Sequence, residues 1–585
     1  MEYPEEFTLA APLRNIPEEG SLVVRLEGNT IALFRTGGTV YAVDNRCPHM
    51  GFPLDRGSVH DCILTCHWHH ARFDLTSGGT FDQFADDVRS FPVEVRGEDV
   101  WVDLAPQSDP TAHFKDRMRD GLERDIPLVI GKSVIHLQSR SGDCIEPFRI
   151  GLDFGVRNRQ LGWGQGLTIL TCMMNLVPRL DPDEMPRAMY HGLSAVARDC
   201  FGHPPRFMLR PLDASSASLQ TLKTWFRRFV EVRDAEGAER CILTAIEKGA
   251  DHSQMADMLF SAVTDHRYIQ IGHPLDFTNK AFEALDVAGW DMAASVLASL
   301  TTAYANASRM EEANSWRNPI DLVSMLERTF EQLESIDLVS GKEKVDTETE
   351  ARMIPILLGN DPQAIVDELA AILRRGVSPC KLSRLVAYAA ALRIARFHTS
   401  NEFTDWDTAL HTFTFANAVH QGLRRTNCVE LVRGIFDAAM SIYLDRFLNV
   451  PAARLPEPRR NTESDAPAAG RLEELAVLLD QQQKVNEAGE TAARYLFEGG
   501  SGERLMAQIG RLLLREDRDF HTIQSVEAAC RQFEGRDMRQ GAHILTAAAR
   551  YVAAHSPTVR AQGQTYQIAL RLHRGDHLYE DAQTP

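Results

Sequence analysis

Two short stretches carry the residues best suited to metal chemistry. Cys47 and His49 lie in RCPHMGFPL, and Cys66 and His69 lie in TCHWHHARFD. The pattern is C-x-H, then 16 residues, then C-x-x-H. Two thiolates and two imidazoles on two loops can hold two irons, the cysteine pair on one and the histidine pair on the other. The same four donors could also close tetrahedrally around one zinc ion. Gly51 and Pro53 mark the first stretch as a loop, and the second follows one strand-like run and precedes another, ARFDL. Of the histidines in the second loop, His67 falls between the two donor positions and His70 falls just after them. His60 lies outside both loops and reads as a surface residue.

The elements that must carry these loops are strands. Up to about residue 104 the sequence gives SLVVRL, TIALF, TVYAV, ARFDL, FPVEV and VWVDL, separated by EGN, TGG and SGG. Short runs rich in Val, Phe and Tyr with such turns predict a small antiparallel β domain over 1–104. APQSDPTAHFK reads as a linker over 105–115. Beyond it the apolar spacing changes to a period near 3.6, in runs such as EMPRAMYHGLSAVARDCF, KLSRLVAYAAALRIARF and GAHILTAAARYVAAH. About 18 helices are expected, arranged as stacked hairpins. PAARLPEPRRNTESDAPAAG, at 451–470, has four prolines and no aromatic residue, and predicts a flexible loop. It divides the helical part into 116–450 and 471–585. The expected fold class is therefore multidomain, an all-β N-terminal domain followed by a large all-α helical-hairpin array.

Composition narrows the function. With 585 residues, 44% hydrophobic and 25% charged, the chain is ordinary for a globular protein. Its net charge of −18 argues against nucleic acid as a main partner. Residues 1–104 hold 8 Arg, no Lys and 17 Asp and Glu, which is half of that net charge. An acidic domain can steer toward a basic patch on a partner. The longest apolar run, LTILTCMMNLV, is too short to cross a bilayer. The acidic N-terminus lacks the basic and apolar regions of a signal peptide, so a cytoplasmic location is expected. Ten scattered cysteines without framework spacing suit a reducing compartment.

The two loops resemble those of the Rieske [2Fe-2S] domain, and the likeness spans about residues 5–104. The resemblance implies a [2Fe-2S] cofactor with Cys47, His49, Cys66 and His69 as its ligands, and His67 as a bystander. His70 stands where that family usually has Gly, a residue used for positive φ. Rieske proteins of respiratory cytochrome complexes add one cysteine to each loop and join the two as a disulfide. The equivalent positions here are Phe52 and Trp68, and Cys62 is not in the right place. Those proteins also place Ser and Tyr hydroxyls beside the cluster, where this chain has Ala71 and Phe73. The resemblance is thus to the ferredoxin type, with a potential toward the low end of about −150 to +300 mV.

A one-electron carrier needs something to serve. The D/N-x2-H-x4-H run of the Rieske non-haem oxygenases is missing: NAVHQGLRR begins like it, but no second histidine follows. The helical part is instead similar to questin oxidase-like proteins, in IQIGHPLDFTNKAFEALD, RFHTSNEF and MNLVPRL…MYHGLSAV. That resemblance implies a monooxygenase-like role with His191, His273 and His398 as candidate catalytic residues converging in one pocket. HTSNEFTDWDTALHTFTFANAVH also supplies His398, Glu402, Asp405, Asp407, His411 and His420, with Asp407 and His411 one helical turn apart. DRDFHTIQSVEAA supplies His521, Gln524 and Glu527. No paired E-x-x-H points to a ferritin-like di-iron site. No Gly-rich dinucleotide fingerprint is visible, so an external reductase is the expected electron donor. The expected function is an oxidoreductase passing single electrons to a site in the helical domain. The alternative is a redox-sensing or partner-binding helical scaffold that carries the cluster.

Overall fold

The computed structural model describes residues 7–105, 110–333, 336, 341–458, 468–576 and 578. The chain divides into two compact units, one formed by 1–150 with 561–585 and the other by 151–560.

The first unit begins with ten strands: β1 (Phe7–Pro12), β2 (Gly20–Leu26), β3 (Asn29–Thr36), β4 (Thr39–Asp44), β5 (Ser58–His60), β6 (Ile63–Thr65), β7 (Arg72–Asp74), β8 (Ser90–Phe91), β9 (Val93–Arg96) and β10 (Asp99–Asp103). They form three antiparallel sheets in the orders β1-β10-β9, β2-β3-β4-β8 and β5-β6-β7. Gly37 and Gly38, with φ of 57° and 77°, make the two-residue turn between β3 and β4, a left-handed pair that matches strand twist. Strand β3 is buried on both faces. Ile31 and Leu33 pack with Ala42, Val100 and Val102, while Ala32 and Phe34 pack with Val43, Leu64 and Phe73. The second of these cores lies under the cluster loops and includes Cys47 and Cys66.

Two helices follow, α1 (Pro110–Glu123) and α2 (Pro127–Ser141). The linker expected over 105–115 is therefore shorter, because residues from Pro110 onward are helical; residues 106–109 lie outside the described set. Pro110 opens a helix rather than breaking one, as proline can where the first N–H groups have no partner. The helix Ala561–His573 packs on α2 and belongs to this unit.

The second unit is helical. Neighbours in sequence pack as hairpins: Gln165–Leu176 on Met185–Cys200, Pro379–Ala395 on Phe403–Arg425, and Phe520–Phe533 on Met538–Ala554. Helices on either side of residues 451–470 pack together, since 379–395 contacts 538–554 and 403–425 contacts 520–533. The expected division into 116–450 and 471–585 thus does not follow the compact units. Within the expected flexible loop, 452–458 has no regular structure, 459–467 lies outside the described residues, and Ala468 starts a helix. Among the described residues no helix is long and apolar enough to cross a membrane.

Candidate functional site

The cluster loops share one backbone design. In the first, which follows β4, the Cys47 N–H donates to the Phe52 carbonyl at 2.8 Å and the Gly51 N–H donates to the Cys47 carbonyl at 2.7 Å. In the second, which joins β6 to β7, Cys66 N–H reaches the Ala71 carbonyl at 2.8 Å and His70 N–H reaches the Cys66 carbonyl at 3.0 Å. Gly51 and His70 are thus equivalent, and both are left-handed, with φ of 84° and 62°. This explains the odd histidine: the loop needs positive φ there, and histidine is among the residues that tolerate it.

The donors converge. The His49 and His69 rings are 4.9 Å apart between centroids, and His49 also meets Phe84 at 5.0 Å. The Cys47 and Cys66 thiols are hydrogen-bonded partners and both are buried. That bond pushes the Cys47 thiol up and pulls Cys66 down to about 6, so one member of the pair is readily a thiolate. The Cys47 sulfur accepts from the His49 and Met50 N–H groups, and Cys66 sulfur from those of Trp68 and His69. Burial, with lesser help from the His69 and Lys132 charges, lowers His49 to about 4, so its ring is neutral at physiological pH. Its Nδ1 is buried and has no hydrogen-bond partner. An unsatisfied imidazole nitrogen beside a thiol pair that receives amide donors is what a [2Fe-2S] cluster requires. The neighbours fall elsewhere. His67 is exposed and meets Ser58 Oγ through Nε2 at 3.0 Å. His60 pairs with Asp61 on the surface. Ala71 and Phe73 are buried in the apolar core beneath the loops.

The second unit contains another histidine cluster. His273 opens the helix His273–Ala288, His411 lies in Phe403–Arg425, and His521 lies in Phe520–Phe533. One ring nitrogen of each lies within 4.8 Å of the others. The His411 and His521 Nε2 atoms are 3.0 Å apart. Two nitrogens bound to one metal at about 2.0–2.1 Å, at 90–110° to each other, would be about 2.9–3.3 Å apart. Burial, followed by the neighbouring imidazoles, lowers His273 to about 4 and His411 to about 3, which leaves both neutral and able to ligate. Asp407 stands one turn before His411, with Oδ2 3.6 Å from His521 Nδ1, and Tyr551 donates to its Oδ1 at 2.6 Å. A carboxylate on the Nδ1 side favours the tautomer that leaves Nε2 free.

A cavity of about 550 Å³ opens beside this cluster. His411 and Asp407 line it together with apolar and aromatic residues that include Tyr268, Trp316, Ile320 and Tyr443. Asp445, buried in its wall, is pushed up to about 7 by burial, against the pull of the Thr412 hydroxyl 2.7 Å away. The segment leading into His273 is strained: Tyr268, Gln270, Ile271 and Gly272 all have positive φ, from 39° to 95°.

Of the three histidines suggested by the helical resemblance, only His273 has contacts in this cluster. His191 is buried in Met185–Cys200 against the Leu514 backbone, where burial lowers it to about 3. His398 lies in a loop, its Nδ1 bonded to Ser400 Oγ at 2.6 Å, on a separate cavity lined by Arg454, Glu457 and Arg550. His411, Asp407 and His521 were visible in the sequence as polar residues on helices. Their meeting was not.

Comparison with known proteins assigns the N-terminal part. The Rieske [2Fe-2S] domain model matches residues 6–92. The ferredoxin component of the naphthalene 1,2-dioxygenase system of Pseudomonas aeruginosa is 31% identical over 102 residues, 17% of this chain and 98% of that protein. The 3-phenylpropionate/cinnamic acid dioxygenase ferredoxin subunit of Escherichia coli is 34% identical over 103 residues, 17% of this chain and 95% of that protein. The ferredoxin of carbazole 1,9a-dioxygenase from Nocardioides aromaticivorans is 26% identical, covering 17% of this chain and 98% of that one, with a TM-score of 0.16. With a Rieske electron-transfer domain carrying a [2Fe-2S] cluster at residues 6–92, the chain belongs to the Rieske [2Fe-2S] family.

Proposed function

We propose that this protein is an oxidoreductase in which the Rieske domain supplies single electrons to a mononuclear iron centre in the helical unit. Cys47 and Cys66 take one iron of the cluster, and His49, through Nδ1, and His69 take the other. Bound there, the cluster accepts and releases one electron at a time. His69 is exposed and offers the edge that an external reductase approaches. The observation that carries the reading is the His273–His411–His521 cluster on the rim of the 550 Å³ cavity. Imidazole ligands suit iron among other first-row metals, and a one-electron donor on the same chain favours a redox-active one. Asp407, held by Tyr551, orients His521, while the apolar wall binds a small organic substrate and excludes water. Similarity of the 273 and 398 regions to questin oxidase-like proteins supports oxygenase-type chemistry at this place.

The test is a metal count on anaerobically purified full-length protein. Iron should exceed acid-labile sulfide in the native protein and equal it in His411→Ala and His521→Ala. Electron spin resonance of the reduced cluster should be the same in all three. Equal iron and sulfide in the native protein, with no other metal present, would leave the helical unit as a scaffold and refute the proposal.

A further inference from the structure

Lys132 lies on α2, outside the residues matched by the Rieske domain model, yet its ammonium group reaches the first cluster loop. It is 9% exposed. It donates to the Pro48 carbonyl, to the His49 carbonyl at 3.3 Å and to Asp86 Oδ2 at 3.1 Å. Asp86, itself 7% exposed, accepts at its other oxygen from Arg117 Nε on α1 at 3.1 Å. Arg117 also donates to the carbonyls of Gln83 and Ala85 at 2.9 and 2.8 Å. A buried ammonium group needs such a set of acceptors, and here they bring it against the cluster loop.

The two carbonyls are placed with particular consequence. The Pro48 carbonyl and the His49 N–H are opposite ends of one peptide group, and the His49 carbonyl and the Met50 N–H are opposite ends of the next. Both of those N–H groups donate to the Cys47 sulfur. Lys132 therefore draws electron density from the oxygen ends of the two amides whose hydrogen ends face a cluster ligand. Hydrogen bonds in series polarise one another, strengthening each by about 10–30%. Stronger donors to sulfur stabilise the more negative, reduced cluster. With Ala71 and Phe73 supplying no hydroxyl, amide donors dominate around the sulfurs.

We infer that Lys132 raises the reduction potential of the cluster through the Pro48–His49 and His49–Met50 peptides, and that Asp86 lowers it by offsetting the Lys132 charge. Both are positioning residues that act through the loop. The relatives that match this chain align over only 102 or 103 residues, so the control is supplied by the helices joined to the Rieske domain.

The experiment is a potentiometric titration of the full-length holoprotein, followed by electron spin resonance, on Lys132→Met, Lys132→Arg and Asp86→Asn. Lys132→Met should shift the midpoint downward, Asp86→Asn upward, and Lys132→Arg should restore most of the native value. Iron and sulfide content confirm that the cluster is present in each. A purely structural role would change cluster content without giving shifts of opposite sign. Shifts of the same sign, or no shift in variants that keep the cluster, overturn the inference. If Lys132→Met assembles no cluster, Asp86→Asn still decides: an unchanged or lower potential overturns it, and a higher one supports it.

Discussion

Asp276 lies one helical turn beyond His273, 2% exposed, and accepts a hydrogen bond from Gln524, one turn beyond His521. Around it, Lys280 pairs with Glu283 and Glu527 at 2.9 and 2.7 Å, and Arg531 pairs with Glu527 at 3.3 Å. Asn175 and Cys172, on Gln165–Leu176, complete the surroundings. Two cations balance two of the three carboxyls, so the third is neutral only if it keeps a proton. Burial pushes Asp276 from 3.8 to about 7, against the opposing pull of Lys280. Below pH about 4 the folded and unfolded states are both protonated, and nothing is lost. As pH rises toward 7 the unfolded chain gives up this proton while the folded chain keeps it, so stability falls. At about 1.4 kcal/mol per pH unit, the loss reaches about 4 kcal/mol by pH 7 and then levels off. Asp276→Asn imitates the protonated form and removes the effect. Denaturant unfolding of both proteins from pH 4 to 8 should therefore show the variant gaining on the native protein by up to about 4 kcal/mol, with the gain confined to that window. An offset that does not change with pH would mean that Asp276 is ionised in the fold and that the charge count is wrong.

Other expectations are direct. His69→Ala should lose the cluster, whereas His67→Ala should keep it, read from visible absorbance and the iron-to-sulfide ratio; equal losses would refute the ligand choice. The native midpoint should lie below about +200 mV, within a range of about −150 to +300 mV, and Ala71→Ser or Phe73→Tyr should raise it by giving the sulfurs a hydroxyl donor. His70→Gly should keep the cluster and stabilise the second loop by about 1 kcal/mol, since it relieves a left-handed side-chain residue. Gly272→Ala should weaken metal retention in the helical unit. Its Cβ would fall 2.9 Å from Phe415 Cβ at a φ of 95°, a strain of roughly 1–3 kcal/mol that is relieved only by moving His273.

The cluster was legible because its ligands are local: each pair sits in one loop, so spacing alone specifies the chemistry. The left-handed place of His70 was legible for the same reason. The helical cluster was not, because His411 and His521 are 110 residues apart and meet only through packing between helices. Periodicity reveals which face of a helix is buried, but not which partner buries it. His398 illustrates the converse. Its sequence surroundings look functional, yet its Nδ1 serves a local turn with Ser400. The prolines near residue 110 misled in a different way, since proline marks a helix start as readily as a break.

The return of Ala561–His573 to α2 also bears on biosynthesis. During translation the first 150 residues emerge long before this helix, and the 410 residues between must be made first. Until then α2 lacks its covering helix, and Gly51 in the first cluster loop lacks Leu572, which comes within 3.4 Å of where a Cβ on that glycine would stand. The iron-bearing unit is thus the first to leave the ribosome and the last to be finished. Cluster delivery should be most productive after chain release, and a chain stopped at residue 560 should lose its cluster faster than the full chain although all four ligands are present.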